Sequence, residues 1–291
     1  MKIGVGLPFK TPTESWPYIK DVARMADEGP FHSFGVLDRL AYDNYEPLAM
    51  LAAVAAITTR VELVTAIIMP TLRNAGVFAK QAATIDAISN GRLHLGIAVG
   101  GREDDSIVAP VDFHTRGKRF EEQLVHMKRI WMGETLPGAQ RPVGPRPVQP
   151  GGPEILVGGT HPNAIARVGR LADGYVMGGR ALEREWAADI VRQVHESWHK
   201  AGREGSPRIV VTLPCALGEG ADDAVAEAIA DYYGGRATAG AARQARPQPT
   251  SADAIRAGIE LHEELGTDEI IFRPVTPDLA QVEALAEVIS R

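Results

Sequence analysis

Asp38 and Arg39 stand side by side at the end of a short apolar run, SFGVL, in a chain of 291 residues. A carboxylate at the mouth end of a strand can orient a donor, and a guanidinium can hold an anionic substrate group or intermediate. The same two residues could instead form a structural ion pair that pins the loop after the strand. Three glycine pairs offer a second chemistry: Gly100-Gly101, Gly158-Gly159 and Gly178-Gly179 each close an apolar run, followed by Arg102, Thr160 and Arg180. Glycine lets a ligand approach the backbone, and a glycine turn that opens a helix offers N–H groups and a positive helix end to an anion, usually phosphate. Gly158-Gly159-Thr160 fits this best, because Pro162 suits the first turn of a helix that starts at once. The residues alone leave a tight strand-to-helix turn as the other reading. The cluster Arg102-Glu103-Asp104-Asp105 reads as a solvated loop with an N-cap role ahead of a catalytic set.

Other chemistries lack their signatures. There is no Walker motif, no G-x-G-x-x-G after the first strand, no H-E-x-x-H and no G-x-S-x-G elbow. His195 and His199 are four apart, but a solvated helix face accounts for them, so no metal site is expected.

The elements that must position these residues alternate regularly. Apolar, β-branched runs are expected as strands at 2–7, 33–37, 61–68, 92–99, 154–157, 174–177, 208–216 and 269–272. Amphipathic segments between them are expected as helices near 15–29, 46–57, 75–88, 116–132, 162–171, 183–201, 222–233 and 278–289, with a further helix at 252–265. Alternation of this kind demands a parallel sheet with crossover helices, and eight units close naturally into a single-domain (β/α)₈ TIM barrel. A doubly wound open sheet is the alternative, since periodicity cannot show closure. The Pro- and Gly-rich stretch 133–153 reads as a connector within that domain, because the alternation resumes after it. Residues 234–250 are small, polar and basic, and are expected to form a mobile loop over the barrel mouth.

Composition narrows the partners. With 31 basic residues dispersed among 37 acidic ones and a net charge of −6, a nucleic-acid surface is not expected and a small-molecule substrate remains. The longest apolar stretch, LAMLAAVAAI, is far short of the roughly 20 residues of a membrane span. One cysteine, Cys215, excludes an intrachain disulfide and reads as a buried core thiol. A cytoplasmic protein is the expectation.

The segment EPLAMLAAVAAITTRVELVTAIIMPTLRNAGVFAKQAATIDAISNGRLHLGIAVGG resembles the luciferase-like monooxygenases, as do RGKRFEEQLVHMKRIW and ILVGGTHPNAIARVGRLADGY. The likeness covers most of residues 1–177 and thins toward the C-terminus. It implies a (β/α)₈ barrel that binds reduced FMN or the deazaflavin F420 at the strand carboxyl ends. It also implies a homodimer through helices near the second and third strands, and a bulge with a non-prolyl cis peptide at Ala66-Ile67 that supports the flavin ring. By the same resemblance the cofactor phosphate would sit on Gly158-Gly159-Thr160, with Gly178-Gly179 beside it and Gly100-Gly101 at a neighbouring strand end. Arg73, Asp86, Ser89, Gly91, Arg92, Arg116 and Glu121 resemble the family's packing and capping residues.

Two departures bear on function. Many F420-dependent members have Asp-His where this chain has Asp38-Arg39, and bacterial luciferase has a phosphate-binding arginine where this chain has Val99. The expected function is therefore a flavin-dependent monooxygenase using reduced FMN, O₂ and a separate flavin reductase, with Asp38 and Arg39 as catalytic residues. F420-dependent hydride transfer without O₂ is the alternative, and a flavin-binding protein without turnover is a third.

Overall fold

Runs rich in Val, Ile and Leu, with flat apolar faces on both sides, become eight short strands. They are β1 (Lys2–Gly6), β2 (Ser33–Val36), β3 (Glu62–Ile68), β4 (Leu93–Ile97), β5 (Glu154–Gly158), β6 (Gly174–Met177), β7 (Arg208–Cys215) and β8 (Glu269–Pro274). Each pairs in parallel with the next, and β8 pairs with β1 through Lys2 opposite Glu269 and Val5 opposite Phe272. The ring is closed, as the single-domain (β/α)₈ reading required. The computed structural model describes residues 1–234 and 246–290, so most of the loop expected at 234–250 lies outside the described residues.

The helices are α1 (Trp16–Glu28), α2 (Pro47–Ile57), α3 (Ala75–Ile88), α4 (Glu103–Val108), α5 (Arg116–Trp131), α6 (Pro162–Leu171), α7 (Arg184–Lys200), α8 (Ala221–Tyr233), α9 (Ala252–Glu264) and α10 (Leu279–Ile289). Side chains start several of them. Glu46, Asn74 and Ser251 accept hydrogen bonds from the third backbone N–H beyond each of them. The connector 133–153 is tied down by Asp86, whose carboxylate accepts from Val148 N, Gln149 N and Gln149 Nε2. None of these helices is long and apolar enough to cross a membrane.

Two elements depart from the expected plan. Residues 103–108, expected as loop, form α4. Residues 221–233, expected as the seventh ring helix, lie across the barrel mouth instead. Val225, with Ala224, Ala228, Ile229 and Tyr232 of α8, packs on Phe9, Leu37 and Val275, which follow the carboxyl ends of β1, β2 and β8. The ring position falls to α9, where Ile255 is buried, Gly258 lies against Leu182, and the buried His262 bonds through Nε2 to Ala181 O at 3.0 Å. Only α9 has a continuous apolar stripe long enough to face the sheet, whereas α8 carries two acidic residues in its first turn and mainly alanine afterwards.

The barrel is filled in layers. At the amino ends of the strands a charged layer joins Glu62, His94, Glu154, Arg208 and Glu269. Arg208 bonds to Glu154 (2.6 Å), Glu62 (3.0 Å) and Glu269 (2.5 Å), and His94 reaches Glu154 at 2.8 Å. Above it Val64, Ala66, Leu156, Val176, Val210 and Ile271 make an apolar plug. Between sheet and ring helices runs the main core, which takes in Cys215. Burial pushes that thiol up to about 12, as suits an inert core residue.

Burial works to raise the Glu62 carboxyl, but the His32 ring 2.9 Å away and the charges of His94 and Arg208 outweigh it and hold it well below 4.5. Glu154 is lowered in the same way, burial being outweighed by His94 and Arg208. Burial lowers His262 to about 4 from 6.5. All three groups bind protons more tightly when unfolded, so their stabilisation is complete above the unfolded values and lost as pH falls. Urea unfolding is expected to show stability falling from pH 6.5 toward 4 through His262, and further below 4.5 through the carboxylates. Arg208→Met should cost about 3–5 kcal/mol at pH 7, because it leaves the fully buried Glu269 without its partner. Unchanged unfolding midpoints for that variant would refute the account.

Candidate functional site

The side chains singled out by sequence lie at the carboxyl ends of the strands, and β3 organises them. Its pairing with β4 slips between Ala66 and Ile68, and the Ala66-Ile67 peptide is cis. The slip leaves Ile67 projecting among the apolar plug residues. Gly96, opposite Ala66, permits the close approach: a Cβ there would lie 2.1 Å from Thr65 O.

Asp38 holds this bulge from β2. Its N–H donates to Ile67 O (3.0 Å), and its carboxylate accepts from Met69 N (2.9 Å) and from Arg73 at 2.6 and 3.0 Å. Arg73 in turn reaches Met69 O and Glu46. Both carboxylate oxygens are thus engaged, so Asp38 is placed to position backbone rather than to meet a substrate. Arg273, at the end of β8, donates to Ala66 O at 3.2 Å from the opposite side. Burial lowers its pKa.

Arg39 does not join Asp38. Its guanidinium turns over the mouth, to Asp104 of α4 (3.0 Å) and to the carbonyl of Tyr232 in the last turn of α8. Arg102, at the N-cap of α4, donates to the same carbonyl at 2.6 Å. Tyr232 stacks on Phe9 with ring centroids 4.6 Å apart and meets Tyr42 edge-on. Asp105 is buried, accepts from Ala41 N at 2.7 Å, and its carboxyl is raised by that burial. The 102–105 cluster is a set of ties between loops.

The glycine pairs come to the same end. Gly158 is the last residue of β5, and a Cβ on it would lie 3.3 Å from the Ile67 side chain, so the turn adjoins the bulge. Gly159 has φ of 122°, a conformation L side chains rarely adopt, and its carbonyl accepts from Tyr175 Oη at 3.0 Å. With that oxygen drawn aside, α6 begins. The N–H groups of Thr160 and His161 find no acceptor among the described residues, while His161 Nδ1 accepts from Asn163 N. Unpaired N–H groups at a helix start are donors for an anion. Gly100 has φ of 79° and lies against Met69, with its carbonyl held by Arg116 at 3.1 Å. Gly101 next to it is exposed. Gly178 lies beside Thr212, and a Cβ on Gly179 would be 3.8 Å from Arg246.

A bulge at β3, a phosphate-type turn after β5 and a mouth covered by helix make one site. A family model described as luciferase-like monooxygenase matches residues 1–274. The chain belongs to the luciferase-like monooxygenase family. An uncharacterized protein of Mycobacterium tuberculosis is 32% identical over 174 residues, covering 57% of this chain and 60% of that protein. An F420-dependent glucose-6-phosphate dehydrogenase of Kineococcus radiotolerans is 30% identical over 202 residues, covering 64% of this chain and 59% of that enzyme. The match therefore spans about 60% of the length of these curated relatives. Among solved structures, an F420-dependent secondary alcohol dehydrogenase superposes with a TM-score of 0.83 at 16% identity, over 99% of this chain and 98% of that one. A monooxygenase from Streptomyces bottropensis superposes with a TM-score of 0.80 at 23% identity, over 100% and 98%. These two likenesses show the fold.

Arg73, Arg102, Arg273 and Tyr232 were not among the site residues read from the sequence of this luciferase-like protein. Arg273 could have been found from its place at a strand end, and Arg102 from its place after Gly100-Gly101. Tyr232 carried no signal, because nothing in the helical pattern of 221–233 shows that the helix leaves the ring. Removal of either member of the buried Asp38–Arg73 pair is expected to cost about 3–5 kcal/mol. In a double-mutant cycle, Asp38→Ala with Arg73→Met should cost clearly less than the two single changes summed. Additive losses in denaturant unfolding would show that the pair does not hold the bulge.

Proposed function

We propose that this protein is an F420-dependent oxidoreductase that exchanges hydride with a small organic substrate without using O₂. The observation that carries this reading is the match to F420-dependent glucose-6-phosphate dehydrogenases over about two thirds of the chain. The preference for reduced FMN with O₂, drawn from the sequence, gives way to it, and with it the separate flavin reductase. FMN with O₂ stands as the second reading, favoured by the fold likeness to a monooxygenase.

The residues present fit a phosphate-bearing cofactor. The unpaired N–H groups of Thr160 and His161, with Gly158 and Gly159, would hold its phosphate, and the Ala66-Ile67 bulge would support its ring. Gly178-Gly179, with Arg246 nearby, continues the line away from the turn and suits an anionic extension beyond the phosphate. When bound, F420 supplies the two-electron ring. This chain's own part is to bind and orient. Asp38 and Arg73 fix the bulge, and Arg273 holds Ala66 O from the other side. Phe9, Tyr42 and Tyr232 lay aromatic surface over the mouth of the ligand-free protein. Arg39 offers donors and no acceptor, so it holds negative charge and does not remove a substrate proton. The same reading includes a homodimer through α2 and α3, where Val77 and Ile88 expose apolar side chains.

Titration of the cofactor-free protein with F420, FMN and FMNH₂ tests the choice. Micromolar binding of F420, with weaker binding of both flavins, is the expected result, and FMNH₂ binding without F420 binding would overturn it. Gly159→Val forces a Cβ into a left-handed conformation 3.1 Å from Ala164. It should weaken cofactor binding at least tenfold, about 1.4 kcal/mol. Binding as tight as that of the parent protein would remove this turn from the cofactor site.

A further inference from the structure

The guanidinium groups of Arg39 and Arg102 converge on one backbone oxygen, the carbonyl of Tyr232, at 2.5 and 2.6 Å. Two like charges share an uncharged acceptor. The carboxylates nearby are Asp104, paired with Arg39 at 3.0 Å, Asp105, and Asp231 in the last turn of α8, which accepts from the Tyr42 hydroxyl; of these three, Asp104 alone bonds one of the two arginines among the described residues. Asp38 is committed to Arg73, and Asp105 accepts from Ala41 N through Oδ1 while its Oδ2 is unpaired among the described residues. Arg273 adds a third guanidinium beside Phe9, the ring on which Tyr232 stacks. Arg39 is 8% exposed and Arg273 3% exposed, and the Nε of each has no hydrogen-bond partner among the described residues. Buried donors are rarely left unpaired, so these two Nε groups, and the two guanidinium groups sharing one neutral oxygen, leave donor capacity at the mouth unused.

We propose that Arg39 and Arg102 form the subsite for an anionic group, carboxylate or phosphate, on the substrate, and that the last turn of α8 occupies this subsite until substrate arrives. The proposal rests on the reading of the mouth as the substrate entrance of an oxidoreductase, and adds the substrate class. A full anion adds charge–charge attraction that a neutral carbonyl lacks, and it can accept from both arginines with separate oxygens. The α8 carbonyl is therefore a displaceable stand-in. The helix is suited to leave, because it rests on the small mouth cluster of Phe9, Leu37 and Val275 and not on the main core. Its departure uncovers Tyr42, over whose ring Arg39 lies at 4.8 Å, as an aromatic wall for the rest of the substrate.

The test uses the cofactor-free full chain, titrated with inorganic phosphate, acetate and, as a neutral control, glycerol. Calorimetry follows binding, and hydrogen exchange follows the backbone amides of residues 226–233. Saturable binding of phosphate or acetate, with faster exchange in the last turn of α8 and no response to glycerol, is expected. The better probe identifies phosphate or carboxylate as the preferred group. Arg102→Met and Arg39→Met should each weaken acetate binding at least tenfold, and in Gly159→Val, whose cofactor turn is blocked, phosphate should still bind saturably and speed exchange in α8. Arg102 is half-buried in a loop and outside the barrel core, and an unfolding midpoint close to that of the parent is expected for Arg102→Met, so that variant decides the matter even if Arg39→Met fails to fold. Anion binding that survives Arg102→Met and is lost in Gly159→Val would place the anion on the cofactor turn and overturn the proposal. So would the absence of saturable binding, or unchanged exchange in α8. None of these readouts depends on F420, so failure of the cofactor assignment would show separately in the cofactor titration.

Discussion

Asp38 and Arg73 meet through two hydrogen bonds in a nearly solvent-free setting, and the geometry of the mouth hangs on that pair. The carboxylate also accepts from the Met69 N–H, and the Asp38 N–H donates to Ile67 O, so one residue just beyond β2 fixes both flanks of the β3 slip. A charge removed from water is stable only when paired and fully bonded, which makes this arrangement close to all-or-none. From the bulge the other parts take their positions. Ile67 projects toward Gly158, Met69 backs Gly100, and Arg273 reaches Ala66 O.

The barrel separates stability from chemistry along its axis. Charges gather around Arg208 at the amino ends, an apolar layer fills the middle, and the unpaired donors collect at the carboxyl ends. The lower charged layer is closed on itself, with three carboxylates around one guanidinium. The upper one is open, with the Nε of Arg39 and of Arg273 and an Asp105 oxygen unpaired among the described residues. The same residue types thus serve opposite purposes at the two ends of one set of strands.

α8 shows how a barrel gains a cover without gaining a domain. The described residues between β7 and β8 form two helices, and the ring has room for one of them. α9 has the buried stripe and the His262 anchor, so it takes the ring. α8, with less to bury, goes over the mouth, and its Tyr232 carbonyl is capped by arginines from the loops after β2 and β4.

Sequence by itself determined the parallel strands, the connecting helices and the glycine turns, because each depends on local periodicity and on backbone freedom at single residues. It also placed Asp38, Arg39 and the three glycine pairs at strand ends, since order along the chain dictates which residues reach the mouth. Closure of the ring needed Lys2 to find Glu269, a pairing no local pattern encodes. The division of labour between Asp38 and Arg39 was likewise beyond the sequence, because it depends on which way two adjacent side chains turn and what waits there. Arg73 waits for one, 35 residues downstream, and Tyr232 for the other, 193 residues downstream. Long-range partners of this kind are chosen by packing, and only the folded chain brings them together.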